Sequence, residues 1–297
     1  MRSSRPCSRT SRTRADAGEG RGRPAPGWSA ASPGAVGGEI LVGTSGYQYR
    51  DWLGSFYPEG TKSRDMLALY AERFRVVELN SSYYGIPRRS STARMAEATP
   101  AGFEFVVKAH KTTTHEGRLD DVPPLLDALE PLREAGKLAG VLCQFPWRFQ
   151  NSEETREYLA RLRGAFGQTP VFVEFRHASW ITEAVFAFLG EKGLLFVSVD
   201  EPELPGLPGR VARATGEFGY VRFHSRSKEN WWGRGDKSRY DYDYSDAELA
   251  EWLGPIREMA ARTRKVFVFF NNCHRGQAAR NAEGLRAILR GAGLVVA

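Results

Sequence analysis

Carboxylates, cations and imidazoles recur in this chain at the ends of short apolar runs, in a polar, apolar, polar pattern. Glu78-Leu79-Asn80, Lys108-Ala109-His110, Glu174-Phe175-Arg176 with His177 following, Ser198-Val199-Asp200 and Arg222-Phe223-His224 all show it. Side chains alternate across an extended strand, so both polar members of each triplet are expected on one side and the apolar residue between them on the other. Gln144, Asn271 and Asn272 end two further runs, and all five histidines (His110, His115, His177, His224, His274) lie at or just after run ends. Such a set suits acid–base work on an anionic substrate. Glu78 or Glu174 would act as base, His177 or His224 as acid or ligand, with Asp200 as a third carboxylate and Lys108, Arg176 and Arg222 holding negative charge.

That chemistry leans toward an enzyme, a hydrolase before other classes, acting on a phosphate ester or a nucleic-acid fragment. Three other readings use the same residues. One is a non-catalytic protein that binds phosphate or nucleic acid. The second is a metal-dependent, sugar-isomerase-like or glycoside-acting enzyme. His177, His224, Glu78, Glu174 and Asp200 are chemically able to hold a divalent ion such as zinc or manganese, but no H-E-x-x-H spacing supports it, and no cofactor is assigned. The third is a purely structural plug in which Glu78, Glu174 and Asp200 balance Lys108, Arg176 and Arg222, because buried charges must be paired.

The segment from Ser225 to Tyr244 is too long for a simple connector, and loops of that length are usually lids or binding elements. It interleaves Arg226, Lys228, Arg234, Lys237 and Arg239 with Trp231, Trp232, Tyr240 and Tyr242, a mixture suited to anions, sugars or nucleotide bases. The binding set is therefore read as Asn80, Tyr84, Lys108, His110, Gln144 and Arg176 from the earlier run ends, then Trp180, Arg222, Arg226, Trp231, Asn271 and Asn272.

These groups need elements to place them. From Glu39 onward eight apolar runs alternate with amphipathic stretches: 40–45, 76–81, 103–110, 138–144, 171–176, 194–200, 220–224 and 266–271. Helices are expected over 63–74, 90–98, 123–135, 152–163, 182–192, 246–262 and 276–290, with N-cap signals at Ser152 and, as a full S-x-x-E box, at Ser245. The Pro- and Gly-rich link 201–219 is expected to hold no helix or a very short one. Eight strands apolar on both faces predict a single-domain α/β fold, the TIM-type (β/α)8 parallel barrel, whose site lies at the strand C-termini. A doubly wound open sheet is the alternative, but Gly43-Thr44-Ser45-Gly46-Tyr47 lacks the G-x-G-x-x-G phosphate turn. The first strand offers only Gly43 and Ser45 to the mouth, which would leave space there.

The charge lies mainly outside this domain. Residues 1–38 carry seven arginines against two acids, so +5 of the formal +7 belongs to a segment rich in Arg, Ser, Gly and Pro. Such a segment is expected to be disordered, and a translation start assigned too far upstream would explain it as well as a transit peptide would. Residues 39–297 form the barrel domain. Three cysteines make no paired framework or metal motif, and no apolar run approaches the roughly 20 residues of a membrane helix. A reduced, cytoplasmic protein is expected, with no membrane and no protein partner, and an anionic small molecule or nucleic-acid fragment as ligand.

Taken together, Gly43-Thr44-Ser45-Gly46-Tyr47 with Trp52, Glu78-Leu79-Asn80-Ser81-Ser82-Tyr83-Tyr84 with Pro87, Gln144-Phe145-Pro146, Glu174-Phe175-Arg176-His177 with Trp180, Arg222-Phe223-His224, and Phe270-Asn271-Asn272 with Asn281-Ala282 resemble the YecE-like family, domain of unknown function 72. The resemblance runs from about Ile40 to Leu289 and implies a β/α barrel. It lends no reaction. Tyr47 stands where such sequences often have Trp, and Ser225 where Gly is frequent.

Overall fold

A computed structural model of the protein describes residues 37–229, 231–232 and 240–297. The tail expectation for 1–36, and the loop residues Arg234, Lys237 and Arg239, lie outside the described residues. Nine parallel strands form one sheet: β1 (Glu39–Ser45), β2 (Val76–Leu79), β3 (Glu104–Lys108), β4 (Leu138–Gln144), β5 (Val171–Glu174), β6 (Leu195–Phe196), β7 (Ser198–Asp200), β8 (Phe218–Phe223) and β9 (Lys265–Phe270). Their order is β6-β5-β4-β3-β2-β1-β9-β8-β7.

The two ends of that order are neighbours in sequence. β6 pairs with β5, β7 pairs with β8, and Val197 between them donates its backbone N–H to Val173 at 3.0 Å. The sixth expected strand is thus one strand in two segments, each bonded to a different neighbour, and through it the nine strands form a nearly closed eight-position barrel. A second irregularity lies between β3 and β4. The register skips Ala139, and Gly140 takes φ +156°, with no room for a Cβ, which would stand 2.7 Å from the Phe172 ring. Gly43 likewise reflects packing rather than ligand space, since a Cβ there would come within 2.2 Å of the Val76 carbonyl oxygen.

The helices fall close to their expected places: α1 (Met66–Arg73), α2 (Arg89–Glu97), α3 (Lys111–His115), α4 (Val122–Glu134), α5 (Glu153–Ala165), α6 (Glu183–Lys192), α7 (Asp246–Ala250), α8 (Leu253–Ala260) and α9 (Gln277–Gly291). Ser152 and Ser245 both close reciprocal capping boxes, with Thr155 and Glu248 at N3. The expected 246–262 helix is broken between α7 and α8, α3 was not anticipated, and 201–217 contains turns and bends without a helix.

Two apolar cores follow from strand alternation. Ile40, Val42, Val77, Leu79, Phe105, Val107, Val173 and Phe223 pack outward against the helices. Leu41, Val76, Val106, Leu142, Phe172, Leu195, Val197, Val199, Tyr220, Phe267 and Phe269 fill the barrel. At the C-terminal end of that interior column the apolar residues stop, and the polar set begins.

Candidate functional site

Three strands raise the lower tier of the mouth. Arg222 of β8 is fully buried, and its guanidinium spans the barrel. Nε and Nη2 donate to Glu78 Oε2 and Oε1 at 2.9 and 2.6 Å, and Nη1 donates to Glu174 Oε2 at 2.5 Å. Tyr220, one inward position earlier on β8, donates its hydroxyl to Glu78 at 2.6 Å. Both carboxylates are fully buried, so a single planar fork ties β2 and β5 to β8. Burial pushes the Glu174 carboxyl upward, but Arg176 and Arg222 outweigh it and hold its pKa well below the usual range. The same ion pairs, against the cost of burial, raise Arg222 well above its ordinary value.

The upper tier is built on that base. Arg176 donates to Glu174 Oε1 at 2.8 Å and to Glu201 Oε2 at 3.0 Å, and its guanidinium carbon lies 5.6 Å from the centre of the Trp231 ring. His224 is fully buried beside it, with Nε2 at 3.2 Å from Glu174 Oε1 and Nδ1 at 3.1 Å from the Asn271 amide nitrogen. Nε2 also lies 3.1 Å from Arg176 Nη2, so the ring meets a nitrogen donor at each of its nitrogens and the Glu174 carboxylate at one of them. Burial, with Arg176 adding to it, lowers the His224 pKa to about 3. Lys108 donates to Gln144 Oε1 at 3.0 Å and stands 4.6 Å over the Tyr83 ring, and burial and the nearby Arg222 lower its pKa to about 8.

Glu78, Glu174, Arg176, His224, Lys108, Gln144, Arg222, Asn271 and Trp231 thus come together as the sequence suggested. Asn80 reaches the end of β2 with its Oδ1 buried and without a hydrogen-bond partner among the described residues. Other expected members lie elsewhere. Asp200 points out of the barrel toward the helices: its carboxylate accepts from Arg226, from the Tyr244 hydroxyl at 2.9 Å and from Trp252 Nε1 at 2.7 Å, while Val199 fills the interior. The inward direction read for Ser198 and Asp200 is therefore reversed. Arg226 is engaged by Asp200 and Glu251 on that outer side.

Trp180 is core. It is fully buried, stacks on Phe175 with centroids 4.2 Å apart, and donates its indole N–H to the Phe149 carbonyl. Asn272 also faces the helix layer, donating to the Asn281 side chain at 2.7 Å. His110 is bound to Asp121 at 2.9 Å, His177 caps the turn at Ser179, and Tyr84 is 80% exposed on the rim.

Two groups were missed. Glu201, one residue after Asp200, occupies the inward position, buried, with Oε1 lacking a partner among the described residues. Burial raises its pKa to about 7, opposed by Arg176. Trp147, in the loop after β4, packs edge-on against His177 at 5.0 Å and Trp232 at 6.2 Å. The Gln144-Phe145-Pro146-Trp147 run was a readable signal for it. Cys273 is buried, with its thiol pushed up to about 12 by burial, which does not suit a nucleophile. Among the described residues no three His, Cys, Asp or Glu side chains are grouped to hold a metal ion, and no helix is long and apolar enough to cross a membrane.

His224 and Glu201 predict opposed pH dependences. Folded His224 stays neutral down to about 3 while the unfolded imidazole titrates near 6.5, so its share of stability is present above 6.5 and is lost as pH falls. Folded Glu201 is raised to about 7 from 4.5, so its share is present below 4.5 and is lost as pH rises through 7. Each is worth about 2 kcal/mol between pH 7 and 5. Urea unfolding should therefore show His224→Gln gaining stability over that drop, relative to wild type, and Glu201→Gln losing it. Parallel slopes in the two variants would refute the assignment.

A family model described as "Protein of unknown function DUF72" matches residues 41–295. The UPF0759 protein YunF of Bacillus subtilis (strain 168) is 34% identical over 269 residues, covering 84% of this chain and 94% of that one. A solved DUF72 family protein from Thermotoga maritima MSB8 is 40% identical with a TM-score of 0.79, over 85% of this chain and 99% of the other. One from Enterococcus faecalis V583 is 28% identical with a TM-score of 0.75, over 84% and 95%.

Proposed function

This chain belongs to the DUF72 family, whose description names no reaction, and from that premise we propose that its barrel mouth binds a small phosphate ester of the nucleotide class and hydrolyses it. Lys108 carries the reading. Buried lysines with structural duties are saturated, as Lys137 is here: its ammonium donates to the Ala96 carbonyl and to the carbonyl and hydroxyl of Thr99. Lys108, half-buried at the mouth, has one neutral acceptor, an aromatic face and, among the described residues, no ion pair, and it follows Val107 on β3 as Asn80 follows Leu79 on the paired β2. A cation kept at a cost in stability marks a place where an anion belongs.

Aromatic rings favour a ligand with a flat portion. Trp147 and Trp232 are 42% and 58% exposed on loops after β4 and β8, and Tyr84 joins them on the rim. Exposed rings at a mouth offer stacking faces to a base. Glu201 is the carboxylate suited to take a proton from water near pH 7, because Glu78 and Glu174 are consumed by Arg222. In that step the water oxygen bonds to phosphorus, the ester P–O bond breaks, and Glu201 takes one water proton and passes it to the leaving oxygen, which departs as the alcohol. With Glu78 and Glu174 both held by Arg222, the pair of working carboxylates that a glycosidase uses is reduced to Glu201.

Thermal-shift titration with inorganic phosphate and nucleoside monophosphates checks the reading. Wild type should be stabilised, the nucleotides more than phosphate, while Lys108→Met stays folded and weakens binding about a hundredfold. Equal responses in both proteins would defeat it. Binding without release of phosphate would favour the non-catalytic alternative, in which the same cation and rings serve recognition alone.

A further inference from the structure

The opposite end of the barrel carries a second concentration of cations. A cleft of 480 Å³ opens there, floored by Leu41 and Phe74 and rimmed by Arg73, Arg75, Arg286 and Arg290. Its volume is that of a small-molecule site. Arg73 and Arg75 flank the C-terminus of α1 and the start of β2, while Arg286 and Arg290 stand one helical turn apart on α9.

What holds these side chains is informative. Arg286 donates to the Arg73 carbonyl at 2.6 Å, Arg290 to the Val296 carbonyl at 3.1 Å and Arg75 to the Ala101 carbonyl at 3.3 Å. Carbonyls fix a guanidinium without cancelling its charge. Only Arg73 has a carboxylate partner, Glu283, and the other three make no ion pair among the described residues. The Arg286 group also packs 5.4 Å from the Phe74 ring, and its Nε is buried without a partner. Burial lowers the Arg286 pKa, and Arg290 lowers it further, partly opposed by Glu283. Glu39 and Glu72 line the same cleft, and Glu39 faces Lys265.

Solvated arginines, one of them capping the end of α1, would account for each contact singly. They do not account for three guanidinium groups that line one cleft over an apolar floor and make no ion pair among the described residues, with Glu39, Glu72 and the carboxylate-bearing Ala297 in the same lining. We propose that this cleft is a second binding site, for a small multiply charged anion of the phosphate or pyrophosphate type, separate from the mouth. Planar guanidinium forks from two elements would grip its oxygens, and the Phe74 and Leu41 floor would exclude water beneath it.

Calorimetric titration with pyrophosphate tests this, using wild type, Arg75→Gln, Arg286→Gln and Lys108→Met. Arg75 is exposed, so its loss leaves folding intact even if Arg286→Gln, which frees the α1 carbonyl, does not. The cleft predicts that both arginine variants weaken one class of binding about tenfold. Lys108→Met should retain that class at full strength. Pyrophosphate binding that is unchanged in Arg75→Gln, or that disappears in Lys108→Met alone, would overturn the proposal while leaving the mouth reading to its own test.

Discussion

Replacing Arg222 with methionine is expected to cost about 3–5 kcal/mol, a large part of the roughly 5–15 kcal/mol that ordinary domains have in total. Methionine fits the space and removes the fork. Glu78 and Glu174 then remain in a fully buried setting with no cation between them, and the Tyr220 hydroxyl alone serves Glu78. Arg222→Lys should recover only part of the loss, because a single ammonium cannot donate to both oxygens of Glu78 and also reach Glu174. Urea denaturation of the three proteins measures this. A methionine variant within 1 kcal/mol of wild type would mean that the buried triad contributes little and that the mouth rests on its apolar column.

Asp200→Ala should have the next largest effect, about 3 kcal/mol or more, and for a different reason. Its carboxylate is the common acceptor for Arg226, the Tyr244 hydroxyl and the Trp252 indole, all on the helix side. Alanine leaves these donors without an acceptor, two of them on nearly buried rings, and each orphaned buried donor costs about 1–3 kcal/mol. Thermal and urea unfolding should both register the loss. Ligand-induced stabilisation of the folded fraction should persist, since Asp200 does not face the mouth. Loss of ligand response with full stability would instead restore Asp200 to the site.

The contrast between Asp200 and Glu201 shows where sequence reading stopped. Strand existence was legible because each barrel strand is buried on both faces and reads as an apolar run. Direction was not legible in the sixth strand, because Leu195 to Val199 is apolar on both parities apart from Ser198 and ends in two adjacent acids. Either acid could have been the inward one. The partners that decide it, Trp252 and Tyr244 outside and Arg176 inside, lie 25 to 52 residues away in sequence.

Trp180 illustrates a second limit. An aromatic residue after a strand end reads as rim, but the short 3-10 turn Ala178–Trp180 folds it back onto Phe175 and Phe149. Conversely, the charge pairing of Glu78, Glu174 and Arg222 was anticipated as a balance of types, although nothing in the spacing announced that one guanidinium would serve both carboxylates. The structural plug and the proposed ligand site thus occupy two tiers. The lower tier is self-satisfied, and the upper tier retains Lys108, Asn80 and Glu201 with unfilled hydrogen-bonding capacity.

The claim that an anion sits on Lys108 is tested most directly by the pH dependence of nucleoside monophosphate affinity in wild type and Lys108→Met. The ligand gains its second charge near pH 6, and Lys108 loses its own near 8. Wild-type affinity should rise through the first value, be opposed in both proteins as Glu201 ionises near 7, and fall again above 8, and this last decline should be absent from the weaker binding of Lys108→Met. Coincident profiles for the two proteins would contradict the account.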